Sequence, residues 1–238
     1  MDRAEKEGKV AMAAEVRQEL NSSVNAGAKK VKKLGLVAER KQKAASGFIA
    51  SSVSYAAFDF QPFEGAEFND EALAMLKKRQ PKDNGAASSI LRLAPDLLGD
   101  LYRDDVIEDL LDEIDAAPQW KCVLETQEIG RITKFEWPDN VWVGVVVAAQ
   151  DQIDEAERIV SKIEAEVKWI HCRMDTEPLT FRDLDPFDWI VISSANDQVQ
   201  WHDIEPILNQ ARKAKCRVFF DPSVKCRPQE FPQIDRAA

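Results

Sequence analysis

From residue 88 onward, nearly continuous apolar runs alternate with amphipathic stretches of helical spacing, and this pattern most constrains the fold. Apolar runs without polar alternation are typical of strands buried on both faces. The runs lie at residues 90–93, 120–124, 141–147, 169–172, 189–192 and 217–220, and the clearest helical stretches at 104–114, 151–167 and 203–214. Buried strands separated by helices predict a parallel sheet covered by helices. Because about six strands are too few for a closed eight-stranded barrel, we expect an α/β fold that is part of a barrel or an open sheet.

The chain of 238 residues divides into three parts by composition and hydrophobic periodicity. Residues 1–45 have helical spacing and no proline, which predicts a basic helical arm or appendage. Residues 46–87 are irregular, which predicts a linker with one helix at 69–79, and Asn69 is its candidate N-cap. Residues 88–238 form the predicted α/β domain.

Charge is distributed unevenly along the chain. The net charge is -10, yet residues 1–43 contain eleven Lys and Arg against six Asp and Glu, a balance of +5. Charge runs on helices are mostly solvated faces, but a lysine row can also bind a polyanion such as nucleic acid, or an acidic protein. The candidate partner contacts are Lys29, Lys30, Lys32, Lys33, Arg40, Lys41 and Lys43.

Several classes of protein are excluded by what the sequence lacks. No apolar run approaches the roughly 20 residues that cross a bilayer, and the charged first residues do not resemble a secretory signal. We therefore expect a cytoplasmic protein without membrane contact. The cysteines at 122, 172, 216 and 226 contain no CxxC pair, which argues against a zinc ribbon or a disulfide framework.

Five motifs occur in order in the C-terminal part of the chain. They are Trp137-Pro-Asp-Asn-Val-Trp-Val-Gly-Val145, Trp169-Ile-His-Cys172, Glu177-Pro-Leu179, Asp188-Trp-Ile-Val-Ile192 and Arg217-Val-Phe-Phe220. Over residues 88–232 the chain resembles the phage gp-thirty-seven/gp-sixty-eight family, whose members look like radical-SAM proteins. The resemblance implies a partial TIM barrel and an origin in a phage or other mobile element. In such proteins three closely spaced cysteines hold an iron–sulfur cluster, and the cluster binds SAM.

This chain departs from the family where that chemistry would lie. It has no cysteine triplet, and its first cysteine is Cys122. Relative to the family, polar strand-end residues are replaced by Val146 and Ala148, a glycine pair by Ser193-Ser194 and a lysine by Asp221. Ser193 and Ser194 are thus degenerate cofactor-binding positions. The resemblance therefore implies a scaffold that keeps its core while the cofactor-facing residues have changed.

A new site could still occupy the same end of the sheet. Glu125, Asp175 and Asp221 follow neighbouring predicted strands, with His171 and Cys172 nearby, and converging carboxylates can hold a divalent cation or relay protons. Solvated loop acids are the competing interpretation in so acidic a chain. Because His171 and Cys172 are adjacent in a predicted strand, they should point to opposite faces and form no dyad with each other. Cys172 matches a cysteine of the resembling family outside the cluster motif, which implies a buried structural thiol.

The sequence and the resemblance together predict a binding or regulatory subunit that is not an enzyme, with a protein partner and no cofactor. Two alternatives remain. One is half of a split radical-SAM enzyme, which would bind SAM and an iron–sulfur cluster through cysteines on a partner chain. The other is a metal-dependent enzyme that uses Glu125, Asp175 and Asp221.

Overall fold

The computed structural model describes residues 47–82, 85–94, 97–175, 178–195 and 199–233. They belong to one unit that runs from Ser46 to Ala238, separate from Met1–Ala45. The predicted N-terminal helices, with Lys29, Lys30, Lys32, Lys33, Arg40, Lys41 and Lys43, lie outside the described residues.

The described chain contains ten strands and four α-helices. In order they are β1 (Phe48–Ala50), β2 (Phe58–Phe60), β3 (Phe63–Glu64), β4 (Glu67–Phe68), α1 (Asp70–Lys78), β5 (Ile90–Leu93), α2 (Asp104–Asp115), β6 (Lys121–Thr126), β7 (Val141–Val147), α3 (Gln150–Val160), β8 (Val167–Arg173), β9 (Trp189–Ser193), α4 (Trp201–Ala214) and β10 (Arg217–Phe220). All six strands and all three helices expected after residue 88 are present, with ends shifted by a few residues.

Eight of the strands form one sheet in the order β1-β2-β5-β6-β7-β8-β9-β10. Only β1 is antiparallel to its neighbour, and the other seven strands are parallel. The spatial order follows the sequence order without the reversal that marks a doubly wound sheet, which is the connectivity of a barrel. Within the described residues β1 and β10 do not pair, so the sheet is open. The predicted partial-barrel α/β fold is confirmed.

The helices cover one face of this sheet. The larger apolar cluster joins Ile107 of α2, Ile153 of α3 and Ile204 of α4 to strand residues such as Leu124 and Ile170. A second, smaller cluster lies on the opposite face. We call this opposite face the inner face, since in a closed barrel it would line the interior.

Residues 46–87 contribute more than the linker that the sequence predicted. The expected helix is present as α1, and the side chain of Asn69 caps it by accepting a hydrogen bond from the Ala72 amide at 2.9 Å. The same segment also supplies β1 and β2 to the large sheet. Strands of three residues carry too little periodicity to be recognised from sequence.

The helix expected at 151–167 ends earlier than predicted, at Val160. Val167 starts β8 and pairs with Trp142 of β7. The residues between Val160 and Val167 therefore turn the chain back into the sheet.

No helix in the described part of the chain is long and apolar enough to span a membrane.

The inner face is filled by aromatic side chains. Trp142, Trp169 and Trp189 are fully buried there, and the ring centroids of Trp169 and Trp189 are 5.2 Å apart. Tyr55, from the segment between β1 and β2, packs edge-on against Trp169 and Trp189 with centroids 5.8 and 5.6 Å away. Gly144 makes the packing possible, because a Cβ at this position would lie 2.1 Å from the Trp169 ring.

Candidate functional site

A polar network lies at the carboxyl ends of the parallel strands, above the tryptophans, and Glu125 of β6 is at its centre. Its Oε2 atom accepts hydrogen bonds from the Tyr55 hydroxyl at 2.7 Å and from Nδ1 of His171 at 3.2 Å. Its Oε1 atom accepts one from Nη1 of Arg92 at 3.0 Å. Glu125 is 7% exposed, so these donors replace the water that burial removes from its carboxylate.

Arg92 of β5 links two carboxylates. Besides Glu125, it binds Asp59 of β2 in a bidentate manner, with Nε to Oδ1 at 2.8 Å and Nη2 to Oδ2 at 3.0 Å. Asp59 also accepts a hydrogen bond from the Ser51 hydroxyl at 2.7 Å. The planar guanidinium therefore ties β2, β5 and β6 together through hydrogen bonds of the strongest class.

The network lowers the pKa of Glu125 and raises the pKa of Tyr55. Burial acts to raise the pKa of Glu125, but the hydrogen bonds from His171 and Tyr55 and the charge of Arg92 bring it below the ordinary value. The pKa of Tyr55 is raised, first by burial and then by the adjacent Glu125 carboxylate. Glu125 is therefore ionised at neutral pH, and Tyr55 is a neutral hydrogen-bond donor.

His171 of β8 connects Glu125 to Ser193 of β9. While Nδ1 faces the carboxylate, Nε2 lies 2.8 Å from the Ser193 hydroxyl oxygen. An ionised carboxylate at Nδ1 favours the tautomer with hydrogen on Nδ1, which leaves the Nε2 lone pair facing the serine. Strand β7 lies between Glu125 and His171, and its inner-face residues there are Gly144 and Val146. Because Gly144 has no side chain and that of Val146 is short, the carboxylate of Glu125 can reach the imidazole of His171 across β7.

An open pocket of about 360 Å³ lies beside this network. Its walls come from the ends of β6, β7 and β8 and from the loop after β5, and they consist of Gly99, Glu125, Thr126, Gln127, Glu128, Val146, His171 and Arg173. The carboxyl ends of barrel strands are where sites are usually built, and the sequence prediction of a site concerns this same end of the sheet.

The three predicted acids have separate partners. Glu125 is in the network, whereas Asp175 accepts hydrogen bonds from the Ala195 amide at 2.6 Å and from Arg173 at 3.0 Å. Asp221 accepts one from the Ser54 hydroxyl and one from the Ser223 amide, both at 2.9 Å. Among the residues that the structure describes, no group of three His, Cys, Asp or Glu side chains is arranged to hold a metal ion.

The predicted serines and cysteine point in different directions. Ser193 joins the network on the inner face, while the Ser194 hydroxyl donates to the Met174 carbonyl at 3.1 Å. Cys172 lies fully buried in the helix-side core, as alternation along β8 requires, and burial raises the pKa of its thiol far above the usual range. A thiol held neutral in this way is a poor nucleophile.

Sequence reasoning missed Arg92, Asp59 and Tyr55. One pattern pointed to Arg92, since it is the charged residue within the apolar run of β5, and a buried arginine needs an acidic partner. Nothing in the sequence identified that partner, because Asp59 and Glu125 are distant from it along the chain.

Residues 38–223 match the family described as Protein of unknown function (DUF5131). The chain belongs to this family. No curated protein and no solved structure matches it.

Proposed function

We propose that this chain is a binding or regulatory subunit of phage or mobile-element origin, built on a partial-barrel scaffold that has lost radical-SAM chemistry. The observation that carries the proposal is the paired network at the carboxyl ends of the strands. In a barrel enzyme the cofactor lies at these ends, and here Arg92, Glu125 and His171 occupy them and are bound to one another.

The cysteines of the chain do not fit an iron–sulfur cluster. Cys122, Cys172 and Cys216 lie buried in the core on the helix side of the sheet, and Cys226 is half-buried after β10. A cubane needs three thiolates that converge on one open position. Burial raises the pKa of Cys122 and of Cys216 to about 12, which disfavours the thiolate form that binds iron.

The charged groups at the strand ends support the same proposal. Arg92 compensates Asp59 and Glu125, and Arg173 pairs with Asp175. Carboxylates that are already paired have fewer free oxygens for a cation than the metal-dependent alternative requires.

The test is an anaerobic calorimetric titration of the full chain with SAM after incubation with iron and sulfide, with the iron content measured on the same sample. A radical-SAM protein treated in parallel is the positive control. We expect no heat of binding and no bound iron. Near-stoichiometric iron with micromolar SAM affinity would overturn the proposal in favour of an enzyme. Heat with Mg²⁺ or Mn²⁺ alone would instead favour the metal-dependent alternative.

The partner contact is proposed for the basic residues between 29 and 43. A fluorescence anisotropy titration with a labelled 20-nucleotide DNA tests the nucleic-acid version, since phosphate contacts weaken steeply between 50 and 200 mM salt. The quadruple variant Lys29→Glu, Lys30→Glu, Lys32→Glu and Lys33→Glu should abolish such binding. No binding by the unmodified chain at 50 mM salt would leave a protein as the proposed partner.

A further inference from the structure

The three side chains Ser193, His171 and Glu125 form a continuous hydrogen-bonded series across β9, β8 and β6. The Ser193 oxygen is 2.8 Å from Nε2 of His171, and Nδ1 of His171 is 3.2 Å from Oε2 of Glu125. This is the order serine, imidazole, carboxylate that activates the nucleophile in serine hydrolases on several unrelated folds.

We propose that Ser193 is a nucleophile that reacts with small carboxylic esters, with His171 as the general base and Glu125 as the group that orients His171. The proposal goes beyond the binding role, because it assigns a chemical activity to the end of the sheet where the radical-SAM site is lost. It does not depend on that role, since SAM binding and ester cleavage are measured separately.

The surroundings of Glu125 hold the series in one arrangement. Tyr55 and Arg92 donate to the same carboxylate at 2.7 and 3.0 Å, so the oxygen that faces His171 has little freedom to rotate away. His171 is 9% exposed and both of its ring nitrogens are engaged. Positions fixed by a second layer of contacts are what a catalytic geometry requires.

The solvent exposure of Ser193 and of Glu125 fits the roles proposed for them. Ser193, the last residue of β9, is half-buried rather than closed off, whereas Glu125 is buried. The pocket next to His171 has room for a small acyl group, with Val146 supplying an apolar wall. Arg173 lies directly opposite Ser193 in the register of β8 and β9 and lines the same pocket. Its Nη2 atom donates to Asp175 at 3.0 Å, and the other N–H groups of this half-exposed guanidinium can donate to a developing oxyanion.

The reaction balances with water as the only other reactant. The Ser193 oxygen forms a bond to the ester carbonyl carbon while its proton passes to Nε2 of His171. The carbon–oxygen bond to the alcohol then breaks, and the alcohol leaves with that proton. Water adds to the acyl-serine by the same route, with His171 taking a proton from water and returning it to Ser193, and the carboxylic acid is released.

The first test treats the full chain with a fluorophosphonate probe, which transfers its phosphonyl group to an activated serine with loss of fluoride, and locates the label by peptide mass spectrometry. We expect label on Ser193 and p-nitrophenyl acetate hydrolysis that falls at least 100-fold in Ser193→Ala. The control is Ser161→Ala, because Ser161 is exposed at the end of α3 and its hydroxyl donates to the Arg158 carbonyl at 3.0 Å, far along the chain from Ser193. Ser161→Ala should keep both label and turnover.

A second variant tests the activation of residue 193 with a smaller reagent than the fluorophosphonate probe. Ser193→Cys, made together with Cys226→Ser to remove the half-buried native thiol, should react with iodoacetamide at pH 7 about tenfold faster than free cysteine, because a neighbouring imidazole promotes the thiolate. Adding His171→Gln should abolish the acceleration. Folded protein without label on Ser193, or an introduced thiol no faster than free cysteine, overturns the proposal, as does ester turnover that survives Ser193→Ala.

Discussion

The packing of Trp169 on the inner face depends on the absence of a side chain at Gly144. The Trp169 ring occupies the space where a Cβ on Gly144 would lie, and its indole nitrogen donates to the Trp142 carbonyl at 3.2 Å. Because the sheet backbone below the ring cannot move away easily, any added atom must displace the ring.

We predict that Gly144→Ala destabilises the fold by about 1 to 3 kcal/mol through overpacking. The measurement is urea unfolding followed by tryptophan fluorescence. Gly130→Ala is the matched control, because nothing lies within 4 Å of a Cβ built there, and its midpoint should hardly change. Equal midpoints for the two variants would contradict the packing described for Trp169.

Glu125 makes stability depend on pH at acid values. Its folded pKa is lowered, so the stabilisation is fully present above the unfolded value of about 4.3 and is lost as the pH falls through the folded pKa. Glu125→Gln leaves Arg92 without one of its partners, and we expect a loss of about 3 kcal/mol at pH 7. Urea unfolding of both proteins from pH 7 to pH 3 should show the difference shrinking below about pH 4. A difference that stays constant with pH would mean that the charge of Glu125 is not what stabilises the fold.

Under the proposal that radical-SAM chemistry has been lost, replacing Asp221 by lysine, the residue that the resemblance implies at this position, should not confer SAM binding. Asp221→Lys leaves the inner-face tryptophans and the buried cysteines unchanged. It does remove the carboxylate that caps the Pro222–Val224 turn, at a cost of about 1 kcal/mol. Calorimetry with SAM on this variant should give no heat, and binding by this single variant would argue against the loss of the cofactor site.

At the scale of elements, Asn140 joins the end of α2 to the start of β7. Its buried amide donates to the carbonyls of Ile114 at 2.8 Å and Ala117 at 3.2 Å. Ile114 lies in the last turn of α2 and Ala117 two residues beyond its end, and each carbonyl also accepts a backbone amide, from Ala117 and Trp120 respectively. The same side chain thus completes the helix and positions the next strand.

We predict that Asn140→Ala costs about 1 to 3 kcal/mol, because two buried hydrogen bonds are lost. Gln119→Ala is the comparison variant, since Gln119 also donates to carbonyls at a helix end, those of Leu76 and Lys77, but from a half-buried position. Urea midpoints should fall clearly more for Asn140→Ala than for Gln119→Ala. The reverse order would show that burial does not govern the cost at these helix ends.

At the scale of the whole molecule, the described residues of the unit Ser46–Ala238 have a hydrophobic core of their own, with helices on one face of the open sheet and an aromatic layer on the other. We therefore predict that a fragment of residues 46–238 folds by itself, with a free energy of unfolding within about 0.5 kcal/mol of the full chain. Urea unfolding of both proteins, monitored by circular dichroism, tests this. A fragment that does not unfold cooperatively would place part of the core in residues 1–45.

The sequence predicted the sheet well because each buried strand after residue 88 coincides with an apolar run, as in Val141–Val147. It predicted α1 and its Asn69 cap because capping is a local interaction. It failed for β1 and β2, which are three residues long and owe their strand conformation to pairing with each other and with β5.

The sequence by itself determined the order of strands and helices after residue 88, the parallel α/β class and the absence of a cysteine triplet, because these depend on local composition and spacing. Only the tertiary structure decided that Glu125 meets Arg92, Tyr55 and His171, and that His171 meets Ser193. Those contacts join residues from different strands, so they exist only once register and the small residues of β7 bring the side chains together. The sequence indicates Glu125 as a possible metal ligand from its position at a strand end, and the structure places it at the centre of a buried network.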